Sequence, residues 1–147
     1  MIIMKILVAL DGSTYSEAAV NTVAKHPWPE ATEIRFITVE TPWLSEFSRI
    51  GATNMFDDVN AGIRRESLGI LNHAAAEIQS KTAGKLSVST TLREGDPKEI
   101  ILDEARRWEA DCIVVGSHGK KTISRFFLGS VSLAIATHAP CSVWIVR

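Results

Sequence analysis

Five short runs of β-branched and aliphatic residues, each separated from the next by a segment of helix length, set the pattern of this chain. They are Met4–Leu10, Glu33–Glu40, Leu86–Leu92, Asp111–Gly116 and Ser142–Val146. Separations of that size are too long for hairpins, and they fit right-handed crossovers between parallel strands. The expected order is β-α-β-α-β-α-β-α-β: an α/β fold with a parallel sheet and helices on both of its faces.

The segments between the strands carry their own start and stop signals. Ser13 or Thr14 can cap a first helix with Ala18, Ala19, Val20 and Val23 on its apolar side, and His26-Pro27-Trp28-Pro29 ends it. Asp57 is the expected cap of a long helix to Ala83, with Val59, Ile63, Ile70, Ala74 and Ile78 on one face and Gly84 as its stop. Asp96-Pro97 opens a third helix through Trp108, whose expected buried stripe is Ile100, Ile101, Ala105 and Trp108. A short fourth helix is expected near Ser130–His138. Leu86–Leu92 alternates strictly and reads as a half-exposed strand near a sheet edge, whereas Asp111–Gly116 is so apolar that it reads as the most central strand. The connector from Thr41 to about Phe56 holds Trp43, Leu44, Phe47, Ile50, Met55 and Phe56, which suits either a lid or a loop covering the core.

Composition narrows the function classes. The 147 residues suit one domain, 1–147, with no internal repeat or linker, and 46% hydrophobic against 22% charged residues is ordinary for a globular chain. Sixteen Lys+Arg against seventeen Asp+Glu give a net charge of −1, so no nucleic acid and no polybasic membrane contact is expected. The apolar N-terminus falls short of the roughly 20 residues a bilayer span needs. Cys112 and Cys141 lack CxxC spacing and read as small buried hydrophobes, reduced in a reducing cytoplasm.

The segment that carries chemistry is Gly116-Ser117-His118-Gly119, nine residues from Lys120 to Leu128, then Gly129-Ser130-Val131. It reads as a strand end, a glycine-bracketed loop and a helix N-terminus. The first turn of a helix leaves about four amides without partners and carries about half a positive charge, so it attracts anions. Gly116 and Gly119 are expected to adopt tight or positive-φ conformations that aim amides inward. Lys120, Lys121 and Arg125 could add charge near a phosphate, although solvated loop cations are the plainer reading of most of them. Gly119-Lys120-Lys121-Thr122 lacks the glycine that a P-loop places directly before its Lys-Ser/Thr pair, and no GxGxxG follows the first strand.

That glycine pattern, Gly-x-x-Gly, nine residues, then Gly-Ser, resembles the nucleotide-binding signature of the ATP-binding branch of the universal stress protein family. Val8-Ala9-Leu10-Asp11-Gly12-Ser13 and the closing His138-Ala139-Pro140-Cys141-Ser142-Val143-Trp144-Ile145-Val146 are similar to that family as well. The resemblance covers the whole chain. It implies a five-stranded parallel sheet in order 3-2-1-4-5, Rossmann-like in the manner of the adenine nucleotide alpha hydrolases. In that order Asp11 and Gly116 end neighbouring strands where the winding reverses, the place at which open α/β sheets bind ligands.

By the same resemblance, Leu10 and Asp11 meet the adenosine end of ATP, and Val39 holds the adenine through its backbone. Gly116 lies against the ribose, and Gly119, Gly129, Ser130 and Val131 surround the phosphates, with Mg²⁺ or Mn²⁺ on the phosphate oxygens. Thr38 stands where the family often has histidine, which leaves the wall of the adenine pocket open. Gly129→Leu is expected to fill the phosphate's approach while sparing the fold. The terminal strand Ser142–Val146, apolar on both faces, is expected to pair with its copy in a homodimer, as the family does.

Three functions compete at this stage: an ATP-dependent switch, a nucleotide-free dimeric adaptor of the same fold, and a phospho-acceptor receiver. The complete glycine set favours the first over the second, and a lone acid, Asp11, at the end of the first strand disfavours the third. For hydrolysis, His118 is the one base candidate near the phosphates, and a loop histidine is more often solvated than catalytic. No catalytic residue is assigned, and any ATPase activity is expected to be slow.

Overall fold

The computed structural model describes residues 2–41, 53–120 and 127–147. Among these residues nine elements follow in order: β1 (Met4–Ala9), α1 (Thr14–Lys25), β2 (Thr32–Glu40), α2 (Thr53–Lys81), β3 (Ser87–Glu94), α3 (Pro97–Trp108), β4 (Cys112–Gly116), α4 (Ser130–His138) and β5 (Ser142–Val146). The strands form one parallel sheet in the order β3-β2-β1-β4-β5, as expected.

Alternation along each strand builds two cores. Ile6, Val8, Ile34, Phe36 and Val114 face Ala19, Val20 and Val23 of α1 and Leu71, Ala74 and Ile78 of α2. Leu7, Ile37, Ile113 and Val115 face Ile101, Leu102 and Ala105 of α3 and Ile135 of α4. Helices on both faces explain why β1 and β4 read as continuous apolar runs. The central strand is nonetheless β1, not β4, because burial of a strand reports its covering helices rather than its rank in the sheet.

The local signals act where they were read, with two exceptions. Ser13 caps α1 by accepting the amide of Ser16 at 3.2 Å, and Asp96 caps α3 by accepting that of Lys98 at 2.9 Å. The long helix, however, begins at Thr53, so Asp57 lies inside it and is no cap. The connector expected over Thr41–Phe56 therefore ends sooner, and its residues 42–52 lie outside the described residues.

The second exception is the face of that helix. Burial begins at Ser67, whereas Val59 is 44% exposed and residues 57–66 are exposed apart from half-buried Ile63. The first turns of α2 extend past the sheet they were expected to cover. On α3, Glu104 joins the buried stripe at 6% exposure. Its carboxylate accepts Arg35 Nη1 of β2 at 2.8 Å and Arg93 Nη1 of β3 at 3.1 Å, so burial is offset by two charged partners. No helix among the described residues is long and apolar enough to cross a membrane.

Candidate functional site

At the carboxyl edge of the sheet, β1 and β4 are neighbours, and the chain leaves them toward opposite faces: α1 packs on one and α4 on the other. A crevice of about 670 Å³ opens there. Leu10, Asp11, Val39, Gly116, Gly119, Gly129, Ser130 and Val131, drawn from four separated stretches, all line it.

Its base is the end of β1. The amide of Leu10 donates to the carbonyl of Ile37 at 2.9 Å, and the β1–β2 pairing stops there. In a parallel strand the N–H and C=O of one residue point to one side and those of the next to the other. Ile37 points to β1, and Glu40 points to β3, since its carbonyl accepts the amide of Gly95 at 2.9 Å. Val39 therefore presents its N–H and C=O on the β1 side, at a level where β1 has ended. Thr38 turns its side chain to the opposite face of the sheet from Ile37 and Val39 and does not line the crevice, so it is no wall of that space.

Asp11 ties the two halves of the site. Oδ1 accepts the amide of Ser13 at 2.9 Å and Oδ2 that of Lys120 at 3.2 Å. Gly12, at φ +78°, makes the turn from β1 to α1 that allows this.

Gly116 and Gly119 do not take the positive φ that was one of their expected conformations, and Gly129 lies outside that region too. What they supply is space. A Cβ on Gly116 would stand 2.8 Å from the carbonyl carbon of Tyr15, one on Gly119 3.0 Å from Asp11 Oδ2, and one on Gly129 3.2 Å from His118 Cα. Side chains there would separate α1, the loop and α4. A side chain at Gly129 therefore first meets the loop backbone, which must give by a few tenths of an ångström.

Gly129 is also the N-cap of α4 and provides no side-chain cap. The first bond of the helix runs from the Leu133 amide to the Gly129 carbonyl, so the amides of Ser130, Val131 and Ser132 precede any carbonyl partner within the helix. All three residues line the crevice, with the positive end of the helix dipole beside them. Ser132 anchors this turn by donating its hydroxyl to the Ser117 carbonyl at 2.8 Å, and the Gly129 amide donates to the same carbonyl at 2.9 Å.

His118 is not a solvated loop residue: it is 8% exposed, and its ring lies 4.9 Å from that of Tyr15. Its Nε2 contacts the Phe127 carbonyl, which can only accept, so Nε2 is the donor. In the neutral ring Nδ1 then accepts the Ser117 hydroxyl at 2.8 Å. Both nitrogens are engaged in closing the loop between β4 and α4. Of the loop cations, Lys120 lines the crevice, and Lys121 and Arg125 lie outside the described residues.

Sequence reasoning overlooked the wall formed by Thr41, Pro97 and Ile101. Its signal was available: the Asp96-Pro97 helix start follows β3 and so lies at the same edge of the sheet. Among the described residues no three His, Cys, Asp or Glu side chains cluster as a metal site. Cys112 and Cys141 are free thiols at the opposite, amino edge of the sheet.

An open parallel α/β sheet with an amide-lined crevice at its switch point defines a class that binds small ligands outside its strand ends. Within that class, the model of the universal stress protein family matches residues 3–147, and the chain belongs to that family. A Staphylococcus epidermidis protein named for the family is 36% identical over 146 residues, covering 97% of this chain and 82% of that one. Universal stress protein UspA from Lactobacillus plantarum has the same fold at a TM-score of 0.70 and 25% identity, with 98% and 97% of the chains covered. So does the Archaeoglobus fulgidus universal stress protein in complex with dAMP, at 0.67 and 22%, covering 100% of both. An Arabidopsis thaliana family member with AMP bound gives 0.69 and 22%, with 97% and 90% covered.

Proposed function

We propose that this protein binds ATP in the crevice between β1 and β4 and acts as a nucleotide-dependent switch in the stress response of the cytoplasm. The observation that carries the reading is the uncapped N-terminus of α4 opening on the same crevice as the Asp11 carboxylate. The functional groups run in the order a nucleotide needs them. Val39 offers a backbone donor and acceptor to a base, beside the apolar side chains of Ile37 and Ile101. Asp11, an acceptor, suits ribose hydroxyls, which donate. The amides of Ser130 and Val131 suit phosphate oxygens. The ends of β2, β1 and β4 are spaced at about 4.8 Å, so together they span about 10 Å, the scale of a nucleoside. The AMP and dAMP complexes of the Arabidopsis and Archaeoglobus relatives support the same reading.

Gly119 and Gly129 complete the phosphate end, while Leu10 lies at the adenosine end and Gly116 against the ribose. A Mg²⁺ or Mn²⁺ ion would be held mainly by the phosphate oxygens and water, with the exposed Asp11 carboxylate and the Ser130 hydroxyl as oxygen donors on the same crevice. Hydrolysis is at most slow on this reading, because the one base candidate, His118, has both nitrogens in use.

The edge strand β5, with half-buried Val143, Trp144 and Ile145, is the proposed seam of a homodimer. Purified protein should carry adenine nucleotide, released on denaturation and identified by absorbance and mass. Single-turnover hydrolysis at about 1 s⁻¹ or faster would replace the switch with an enzyme. Sedimentation as a monomer at micromolar concentration would remove the dimer.

A further inference from the structure

The long helix α2 meets the two loops that flank the crevice, the one after β1 and the one after β4, at points one turn apart. Ile70 Cδ1 stands 2.7 Å from where a Cβ on Gly12 would be, and Glu66 Oε1 lies 3.4 Å from Lys120 Nζ. Glu66 and Ile70 are four residues apart and share a face. Lys120 in turn belongs to the crevice wall: it follows Gly119 directly, and its amide is held by Asp11. From Glu66 toward its N-terminus, α2 runs on as an arm, residues 57–66, exposed apart from half-buried Ile63.

We infer that Lys120 is a cation with two positions, on Glu66 when the crevice is without nucleotide and on the phosphate oxygens when ATP is bound. Occupancy of the site then frees the arm of α2. The inference rests on the nucleotide reading above and deepens it by naming how the bound state is passed on. The Lys120 and Glu66 side chains are 52% and 66% exposed, so their ion pair is screened by water and readily exchanged. A lysine ammonium on a flexible four-carbon stem can swing between two anions without moving its backbone. The triphosphate offers it more charge than one carboxylate does. Bringing that tail near Glu66 also adds like-charge repulsion, which favours release of the helix over retention of both contacts. A ligand shifts such an equilibrium only by its differential interaction with the two states, and here the difference is the lysine's change of partner.

The test is calorimetry of ATP and of adenosine on wild type, Glu66→Gln and Lys120→Gln, joined to hydrogen exchange of residues 57–66 with and without ATP. Removing the competing carboxylate should tighten ATP about threefold, the scale of an exposed pair. Removing the cation should weaken ATP about tenfold through loss of a charge-assisted contact. Adenosine, without phosphates, should bind all three alike. Exchange in the arm should rise on adding ATP to wild type and be already raised in Glu66→Gln. A merely structural pair would move ATP and adenosine together, and that result overturns the inference. So does equal ATP affinity of wild type and Glu66→Gln with unchanged exchange. If wild type binds no ATP at all, the nucleotide reading itself falls, and this inference with it.

Discussion

Asp11 and Lys120 stand 109 residues apart in the chain, yet the carboxylate of the first accepts the backbone amide of the second at 3.2 Å. That bond fastens the end of β1 to the loop after β4, on the two sides of the crevice. Asp11→Ala removes the acceptor for two amides as well as the one proposed for a ribose. Hydrogen bonds to a charged group contribute about 1.5–3 kcal/mol each, so ATP affinity should fall about tenfold or more. Asp11→Asn, which keeps one acceptor oxygen, should fall between that variant and wild type in calorimetric titration.

The two glycines that bracket the loop should differ in cost. At Gly116 an added Cβ would lie 2.8 Å from both the carbonyl carbon and the Cβ of Tyr15, and neither can rotate away. Gly116→Ala should therefore destabilise by about 1–3 kcal/mol through overpacking. Gly129→Ala, with its nearest contact at 3.2 Å, should cost less. Gly129→Leu should lower both the melting temperature and ATP affinity, because the side chain displaces the Ser117–Gly119 backbone. Loss of ATP with an unchanged melting temperature would show instead that the side chain occupies the phosphate's place.

Glu104 connects α3 to two strands through Arg35 and Arg93, and Arg35 also stacks over Trp108 at 4.3 Å from the ring centroid. Both arginines keep about a third of their side-chain surface in water, at 28% and 32%, so they can rehydrate when the carboxylate goes. Glu104→Ala should then cost about 2 kcal/mol, below the roughly 3–5 kcal/mol of breaking a fully buried pair. For a chain of this length that corresponds to a melting temperature lower by about 6 °C. Glu104→Gln keeps the shape and one acceptor and should lose roughly half as much.

The parts of the fold legible in the sequence are those set by local rules. Strand runs, the Ser13 and Asp96 caps and the proline stops act within a few residues, and each formed where it was read. The meeting of Asp11 with the Gly116–Gly119 loop followed from the strand order, which the family resemblance supplied and no local pattern could. What stayed hidden depends on contacts between distant elements. The approach of Tyr15 to Gly116 decides that the glycine is needed for space rather than for φ. The burial of His118 depends on the Phe127 carbonyl nine residues on. Val59 fits the apolar face of α2 by periodicity, but periodicity cannot say where the sheet beneath that face ends. Glu104 reads as a surface residue of α3 until Arg35 and Arg93 arrive from two strands.

Cys112 offers a pH test of packing away from the crevice. Burial, then the neighbouring Cys141 thiol, pushes its pKa from the ordinary 9.0 to about 11, against a lowering backbone contact from Trp144; Asp111 adds a smaller rise. Cys141 is raised too, first by its own burial and then by Asp111. The folded state thus holds the Cys112 proton at pH values where the unfolded chain has released it. Stability rises with pH where the unfolded state binds more protons; here it binds fewer, so stability falls. The contribution is complete below about pH 9 and is lost as pH climbs through about 11. The urea midpoint of wild type should drop between about pH 8 and about pH 10.5 by more than that of Cys112→Ala. The same thiolate argument makes alkylation of Cys112 slow in the native protein and fast in the unfolded one. Parallel pH dependence of the two midpoints, with equal alkylation rates in both states, would mean that the thiol is not shielded by β5 and the Cys141 side chain.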